Sequence, residues 1–246
     1  MENLKKISDN KTFFVVFFFY CFGLVTVFWR IMLDAQQGGS AWRQGDWLIN
    51  NGSGLIRRGF GGDFFIYISG VFGVDSLILV LAVQTILISI IFFTFMWVAW
   101  ANRDNDVILF LILSPLFLLS SAYDTGGSLR KEIVGILAFV PLVVASLNSA
   151  SKHSKKLDTG ILIISAILFL LSTLIHEVNI FLAPALIIIG YFYYNQVIDK
   201  SIFFLFPVFA LVILSISVFS GFFALIFNSV DSTVGICSEI KSTTSS

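Results

Sequence analysis

The sequence predicts an all-α integral membrane protein, a polytopic bundle of about seven transmembrane helices with an interfacial helix after the first outer loop. Of the 246 residues, 57% are hydrophobic and only 12% are charged, whereas a soluble domain is about 25% charged. Apolar runs near the ~20 residues needed to cross ~30 Å of hydrocarbon recur along the chain. Because each backbone polar group in lipid must be bonded within its own segment, these runs are expected to be helices.

The first predicted element is a signal anchor at residues 13–33. The polar segment MENLKKISDNK precedes it and carries three lysines. The apolar run has no Ala-x-Ala cleavage signal and is longer than a signal-peptide core, so we expect it to remain in the membrane. Cys21 lies inside this run and Cys237 near the C-terminus. Their different depths predict neither a disulfide nor a metal site.

The remaining spans are predicted at residues 76–101, 107–123, 132–147, 159–175, 179–194 and 202–227. Residues 63–72, DFFIYISGVF, are too few to cross and predict a helix lying in the interface. Residues 1–228 are expected to form one transmembrane domain. Residues 229–246 are a polar tail, which fits the beginning of a truncated outer loop.

The placement of cations predicts a cytoplasmic N-terminus, since cytoplasmic loops are enriched in Lys and Arg. The inner side then holds mainly lysines, at positions Lys5, Lys6, Lys11, Arg103, Lys152, Lys155, Lys156 and Lys200. The outer side holds mainly arginines, at positions Arg43, Arg57, Arg58, Arg130, Lys131 and Lys241. The inner lysines read as topology signals, whereas the outer arginines cluster in particular segments and require another explanation.

The first outer segment contains GSGLIRRGFGG, in which Arg57 and Arg58 stand among glycines. Two guanidinium groups on a backbone that can approach closely suit a phosphate or diphosphate. The alternative is that both arginines anchor a helix end to lipid phosphates. Asp46, in the same segment, is a candidate substrate-binding residue, and the alternative for Asp46 and Asp63 is a role as loop caps.

The second outer segment is SAYDTGGSLRKE, residues 121–132. Its glycine turn leaves backbone N–H groups free at a helix N-terminus, which favours an anion beside Arg130 and Lys131. The alternative is that these two cations snorkel to the interface. Asp124 is a further candidate for chemistry in this segment.

The third outer segment is the tight apex LIHEVN, residues 174–179. Both apices join short apolar halves, a pattern typical of membrane sites that bind ions or charged groups. His176 and Glu177 are held near the membrane, where ionisable residues are costly and are functional candidates. The alternatives are a structural histidine, and a glutamate that pairs with it or with one of the arginines.

Several chemistries have no support in the sequence. The chain contains no HExxH, Walker, GxSxG or CxxC motif, so no metal or cofactor is predicted. A formal net charge of zero gives no indication of nucleic-acid binding. The outer segments instead suit a ligand that is anionic at the membrane surface and polar beyond it, as a lipid-linked sugar is.

Three stretches, GDWLINNGSGLIRRGFGG, YDTGGSLRKE and LIHEVNIFLAP, resemble segments of the polytopic polymerases of bacterial surface polysaccharides (O-antigen, capsule and exopolysaccharide). The resemblance covers these stretches only, and such polymerases usually have more spans than are predicted here. It implies a multi-pass protein of the bacterial inner membrane with its site facing the periplasm. It also implies membrane lipids and other polysaccharide-assembly membrane proteins as partners.

The resemblance implies a reaction in which a glycan leaves undecaprenyl diphosphate and joins a sugar hydroxyl of another lipid-linked unit. Arg57, Arg58 and Arg130 would stabilise the leaving diphosphate. Lys131 and Asp46 would contribute to substrate binding.

The acceptor hydroxyl in this reaction needs a base. Glu177 is the first candidate, His176 the second and Asp124 the third, since burial and neighbours can tune such groups.

Three alternatives stay open at this point. One is a C-type glycosyltransferase that transfers a single sugar and uses an acidic residue of the first outer loop, Asp34 or Asp46. Another is a transporter or flippase of lipid-linked glycan, which interrupted helices also suit. The third is a non-catalytic assembly subunit.

Overall fold

The computed structural model describes residues 2–52, 59–113, 129–147, 155–197 and 204–226. Every regular element in these ranges is helical, which confirms the all-α prediction for them. The α-helices are α1 (Glu2–Gln36), α2 (Gly59–Phe72), α3 (Ser76–Ala101), α4 (Asp106–Leu113), α5 (Ile133–Leu137), α6 (Val140–Leu147), α7 (Lys155–Ile175), α8 (Ala183–Val197) and α9 (Leu205–Ile226). Two 3-10 helices, Asp46–Leu48 and Glu177–Leu182, complete the set.

Five helical segments are long and apolar enough to cross a membrane: Lys11–Gln36, Ser76–Ala101, Leu157–Ile175, Glu177–Asn195 and Leu205–Ile226. They correspond to the first, second, fifth, sixth and seventh predicted spans. The chain is therefore consistent with a membrane-embedded helical protein. Large apolar side chains such as Phe14, Phe18 and Phe93 are exposed on the outside of these helices, as expected where lipid is the solvent.

The other two predicted spans differ from the prediction or extend beyond the described residues. Of the span at 107–123, only α4 is described. The span at 132–147 consists of two short helices, α5 and α6, separated at Ala138 and Phe139. Pro141 has no N–H to bond the preceding turn and is tolerated only near a helix start, so a new helix begins there. Seven complete spans therefore stay a prediction.

The predicted interfacial segment at 63–72 is helical, but its helix α2 begins earlier, at Gly59. Gly59 and Gly62 pack against the first outer loop, and a Cβ on Gly62 would collide with the backbone of Leu48 and Ile49. This close approach lets Phe65 contact Trp47, with 5.9 Å between ring centroids. The position of α2 in the membrane interface stays a prediction.

Helices α1 and α3 pack antiparallel. Near one end, the rings of Phe13 and Trp100 lie 5.3 Å apart, and near the other, Gly39 adjoins the Leu77 side chain. The Tyr20 hydroxyl donates to the Ile112 carbonyl over 2.9 Å and joins α4 to this pair. A second apolar core, with Phe169, Leu186 and Ile213 at its centre, holds α6 to α9 together.

Candidate functional site

Several chain segments that are distant in sequence converge at one end of the bundle. These are the C-terminal ends of α1 and α7, the loop at residues 37–52, the N-terminal ends of α2 and α3, and the turn at residues 129–132. Trp47 Nε1 donates to the Leu129 carbonyl over 2.9 Å, and a Cβ on Gly61 would lie 3.4 Å from Ile175 and 3.9 Å from Lys131. We call this region the polar end.

A buried polar network fastens the first outer loop to the polar end. Arg43 Nε and Nη2 donate to the two carboxylate oxygens of Asp34 over 2.7 and 2.6 Å. Gln44 Nε2 donates to Asp34 over 3.1 Å and to Gln84 Oε1 over 2.9 Å. All four side chains are buried. Buried charges are tolerated when they are paired and hydrogen-bonded in this way.

The same network holds the turn that leads into α5. Gln84 Nε2 donates to the carbonyl of Arg43 over 3.0 Å and to that of Leu129 over 2.7 Å. The Leu129 carbonyl thus accepts from both Gln84 and Trp47. Leu129 is fully buried with a φ of 66°, a left-handed conformation that is uncommon for a residue with a bulky side chain. The two bonds fix this turn, which orients the next three residues, Arg130, Lys131 and Glu132.

A cation, a carboxylate and an imidazole meet beyond that turn. His176 Nε2 lies 3.3 Å from Glu132 Oε1, and Arg130 Nη2 lies 3.5 Å from the same oxygen. The His176 side chain is 1% exposed and that of Glu132 39%. We call these three residues the Arg130–Glu132–His176 cluster. It joins the second and third outer segments of the sequence.

The tautomer of His176 follows from its second nitrogen. His176 Nδ1 accepts a hydrogen bond from the Val178 N–H over 3.2 Å and caps the Glu177–Leu182 3-10 helix. A neutral imidazole that accepts at Nδ1 carries its proton on Nε2. The protonated nitrogen therefore faces the carboxylate of Glu132.

The surroundings of Glu132 favour the ionised form of its carboxyl group. Burial by itself raises its pKa, but the neighbouring His176 and Arg130 act in the opposite direction, and the net result is a pKa below the ordinary value. A nearby cation and an N–H directed at a carboxylate both stabilise the charged form. Glu132 is therefore ionised at neutral pH.

Among the described residues, five buried side-chain atoms have no hydrogen-bond partner, and all five belong to the polar end. They are Arg30 Nε, Asp46 Oδ2, Arg130 Nε, Glu132 Oε2 and His176 Nε2. His176 Nε2 is close to Glu132 but not aligned for a hydrogen bond. Since buried polar groups are normally satisfied by protein or water, this concentration marks polar atoms that water or a polar ligand would bind.

The structure brings only some of the predicted site residues together. His176 and Arg130 are neighbours, because both lie close to Glu132. Lys131 is fully buried, which does not fit snorkelling. Glu177 is half-buried beside His176, and Asp46 is buried in the loop at residues 37–52.

Three predicted site residues, Arg57, Arg58 and Asp124, lie outside the described residues. Asp63 is outside the cluster and accepts from the Asn51 backbone N–H over 2.9 Å, consistent with the loop-cap alternative. Groups of three or more His, Cys, Asp or Glu that could hold a metal do not occur within the described ranges.

Sequence reasoning missed three contributors to the polar end. Gln84 is an amide within a mostly apolar span, and a polar residue at that depth is itself a signal. Glu132 directly follows the Arg130–Lys131 pair that was singled out. The pairing of Asp34 with Arg43 had no sequence signal beyond the presence of both charges in one outer segment.

Comparisons with protein-family models, with curated proteins and with solved structures find no match to this chain. The chemistry of the polar end therefore carries the functional argument. A guanidinium group can bind an anion, and the carboxylate next to it can accept a proton from, or hydrogen-bond to, a neutral polar group. The apolar helices below suit a ligand with a lipid tail.

Proposed function

We propose that this protein is a membrane glycosyltransferase that polymerises undecaprenyl-diphosphate-linked oligosaccharide repeats for a bacterial surface polysaccharide. The observation that carries the proposal is the Arg130–Glu132–His176 cluster at one end of a bundle of apolar helices. A lipid-linked glycan needs a cation for its phosphates and a proton acceptor for the attacking hydroxyl, with space for its tail among lipids. The cluster and the helices together offer these features.

In the proposed reaction, an acceptor hydroxyl oxygen bonds to the anomeric carbon of the donor glycan. The bond from that carbon to the diphosphate breaks, and its electron pair leaves with the diphosphate. Arg130, with Arg57 and Arg58 as further predicted contributors, would stabilise the charge on the leaving group. The acceptor proton passes to a base of the polar end, for which Glu177, His176 and Asp124 are the candidates from sequence.

A C-type transferase of single sugars is a second candidate, and the structure distinguishes its two potential acids. Both oxygens of Asp34 accept bonds from Arg43, so this carboxylate is fully engaged. Asp46 is buried and its Oδ2 has no partner. Asp46 is therefore the acid that such an activity would use.

A transporter or flippase of lipid-linked glycan is a third candidate, favoured by the interrupted helices. The α5–α6 segment and the 3-10 helix preceding α8 meet closely, since a Cβ on Gly135 would lie 2.7 Å from Asn179 Oδ1. Paired interrupted helices are common at transport sites. This activity needs no base, so Glu177→Gln and His176→Gln would change flux without changing glycan length.

The size distribution of the glycan distinguishes these candidates. The gene is deleted in its own host and complemented with wild type or Arg130→Gln, and surface polysaccharide is separated by length. A polymerase predicts single-repeat product after deletion, and long chains restored by wild type but not by Arg130→Gln. Repeats that lack one sugar would favour the C-type transferase, and unchanged lengths with a reduced amount of glycan would favour the transporter. A ladder unchanged in both length and amount would contradict all glycan-linked proposals.

The proposal includes a location. The protein would be a multi-pass protein of the bacterial inner membrane with the polar end facing the periplasm. Its partners would be membrane lipids, the lipid-linked substrate and other polysaccharide-assembly membrane proteins. Labelling of engineered cysteines from one side of the membrane tests this orientation.

A further inference from the structure

We infer that Glu132 is the catalytic carboxylate that accepts the proton of the acceptor hydroxyl, and that His176 positions Glu132 without itself acting as the base. The inference rests on the proposed glycosyl transfer and assigns a residue that the sequence did not single out. It follows from the hydrogen-bonding state of each atom in the Arg130–Glu132–His176 cluster.

His176 has no lone pair free to take a proton in its neutral form. Its Nδ1 lone pair is occupied by the Val178 N–H at 3.2 Å, and its Nε2 carries the ring proton. Acting as a base at Nδ1 would break the cap of the Glu177–Leu182 3-10 helix. The imidazole is thus suited to present an N–H to Glu132 and unsuited to remove a proton.

Glu132, in contrast, keeps one oxygen available. Its Oε1 lies near His176 at 3.3 Å and Arg130 at 3.5 Å, whereas its buried Oε2 has no hydrogen-bond partner. The side chain as a whole is 39% exposed, whereas Oε2 itself is buried, so rotation of the carboxylate toward the exposed part of the side chain would bring this oxygen to an acceptor hydroxyl. An ionised carboxylate with one oxygen held and the other free has the arrangement needed by a general base.

Arg130 connects the base to the leaving group. It lies beside the same carboxylate oxygen and also has an unpartnered buried Nε, so a donor diphosphate bound by Arg130 would lie next to Glu132. In the transfer, the acceptor O–H proton moves to Glu132 Oε2, the acceptor oxygen bonds to the anomeric carbon, and the diphosphate leaves with the bonding electrons. Proton acceptor and anion site are thus adjacent, as this displacement requires.

The first test compares Glu132→Gln with Glu177→Gln and with a control, Asp104→Asn, which changes an exposed carboxylate at the end of α3 away from the polar end. The full-length chain is reconstituted in nanodiscs with lipid-linked oligosaccharide extracted from the deletion strain, and transfer is measured in a single turnover. We expect Glu132→Gln to slow transfer by about 100-fold or more and Asp104→Asn to keep a rate within about threefold of wild type, since it loses no proton-transfer step. Glu177→Gln should retain at least about 10-fold more transfer than Glu132→Gln.

Two other outcomes overturn the inference in different ways. Loss of transfer in Glu177→Gln, with or without loss in Glu132→Gln, returns the base to the residue favoured by sequence and leaves the proposed function intact. An unchanged glycan ladder in the deletion strain, with no transfer by the wild-type protein, removes the proposed function and this inference together.

The second test separates positioning from catalysis at His176. Gln can place an amide N–H where Nε2 lies, whereas Asn can only replace Nδ1 as the cap of Val178. A positioning role therefore predicts that His176→Gln transfers about 10-fold or more faster than His176→Asn, provided that both variants fold. If His176 is the base, both variants lose transfer to the same extent.

The third test is independent of any substrate. The chain contains two histidines, so His153→Gln leaves one 15N-labelled histidine signal, that of His176. The inference predicts a neutral ring with the proton on Nε2, read directly from the 15N spectrum recorded at alkaline pH. A proton on Nδ1 would contradict the positioning role even if glycosyl transfer were confirmed.

Discussion

Asp34 and Arg43 form a bidentate ion pair that is almost entirely removed from solvent, with side chains 1% and 6% exposed. Asp34 lies in the last turn of the first long helix, and Arg43 belongs to the loop that follows. The pair holds the loop against α3, where Gln44 donates a hydrogen bond to Gln84 of that helix. The polar end of the protein depends on this contact.

Breaking the pair is expected to be costly. Arg43→Gln leaves the buried Asp34 charge without its main partner, and we expect the free energy of unfolding to fall by about 3–5 kcal/mol. Unfolding in detergent by denaturant measures this loss. The matched control is Arg103→Gln, because Arg103 is an exposed arginine that lies 4.9 Å from the Trp100 ring and should cost about 0.5–1 kcal/mol. Equal losses in both variants would contradict a structural role for the pair.

Gln84 is expected to matter far more than other polar residues of α3. Gln84→Leu would leave the Leu129 carbonyl with one donor fewer and remove the support of the Arg43 carbonyl, at a cost of about 1–3 kcal/mol for each group left unsatisfied. Ser89→Ala is the control, since the Ser89 hydroxyl donates to the Thr85 carbonyl of its own helix. Its effect should stay within about 0.5 kcal/mol. A larger loss in Ser89→Ala than in Gln84→Leu would refute the network.

Two glycines make a matched pair for the contact between the interrupted helices. A Cβ at Gly135 would lie 2.7 Å from Asn179 Oδ1, and Asn179 is held by its own bond to the Ser172 carbonyl at 3.1 Å. We expect Gly135→Ala to destabilise the protein by about 1–3 kcal/mol.

The control for Gly135→Ala is Gly160→Ala, where a Cβ would meet no atom within 4 Å. Gly160 lies within α7, so alanine should stabilise that helix by up to about 1 kcal/mol. Thermal unfolding of the two variants should therefore shift in opposite directions. Shifts of the same sign would show that Gly135 is not a close-contact position.

The pH dependence of stability should report Glu132. Its pKa is lowered in the folded protein by His176 and Arg130 despite the opposing effect of burial. A carboxyl group of this kind stabilises the fold above its unfolded pKa, and the stabilisation is lost as pH falls below about 4.5 through the folded pKa. We expect Glu132→Gln to flatten the stability profile in that acid range and leave its shape near neutral pH unchanged. If the stability of Glu132→Gln fell in acid as steeply as that of the wild type, the result would contradict a lowered pKa for Glu132.

The side of the membrane can be read from two engineered cysteines. In a background of Cys21→Ser and Cys237→Ser, Gln37→Cys lies after α1 and Asp104→Cys lies after α3, at opposite ends of the antiparallel pair. Both positions are exposed. A membrane-impermeant maleimide applied from the periplasmic side should label Gln37→Cys only. Labelling of Asp104→Cys alone would place the polar end in the cytoplasm and contradict the proposed reaction.

Much of the fold could be predicted from local features. The apolar runs of α1, α3, α7 and α9 identify these helices. Each run is long and apolar enough to cross lipid, and a helix makes its backbone hydrogen bonds within the run. The break between α5 and α6 was missed, although Pro141 marks it. A proline favours a helix start, but whether the helix before it continues depends on packing, here against α7, where Ser165 donates to the Ala138 carbonyl.

The sequence by itself determined the class of protein, the spans and the segments in which charge collects, since these are properties of contiguous residues. Only the tertiary structure decided that His176 meets Glu132, 44 positions away, and that Gln84 bonds the Leu129 carbonyl across the bundle. Such partners depend on distances between segments that are remote in sequence. From the sequence alone, several glutamates and arginines were equally good candidate partners. In this protein, burial and hydrogen-bond geometry distinguish them.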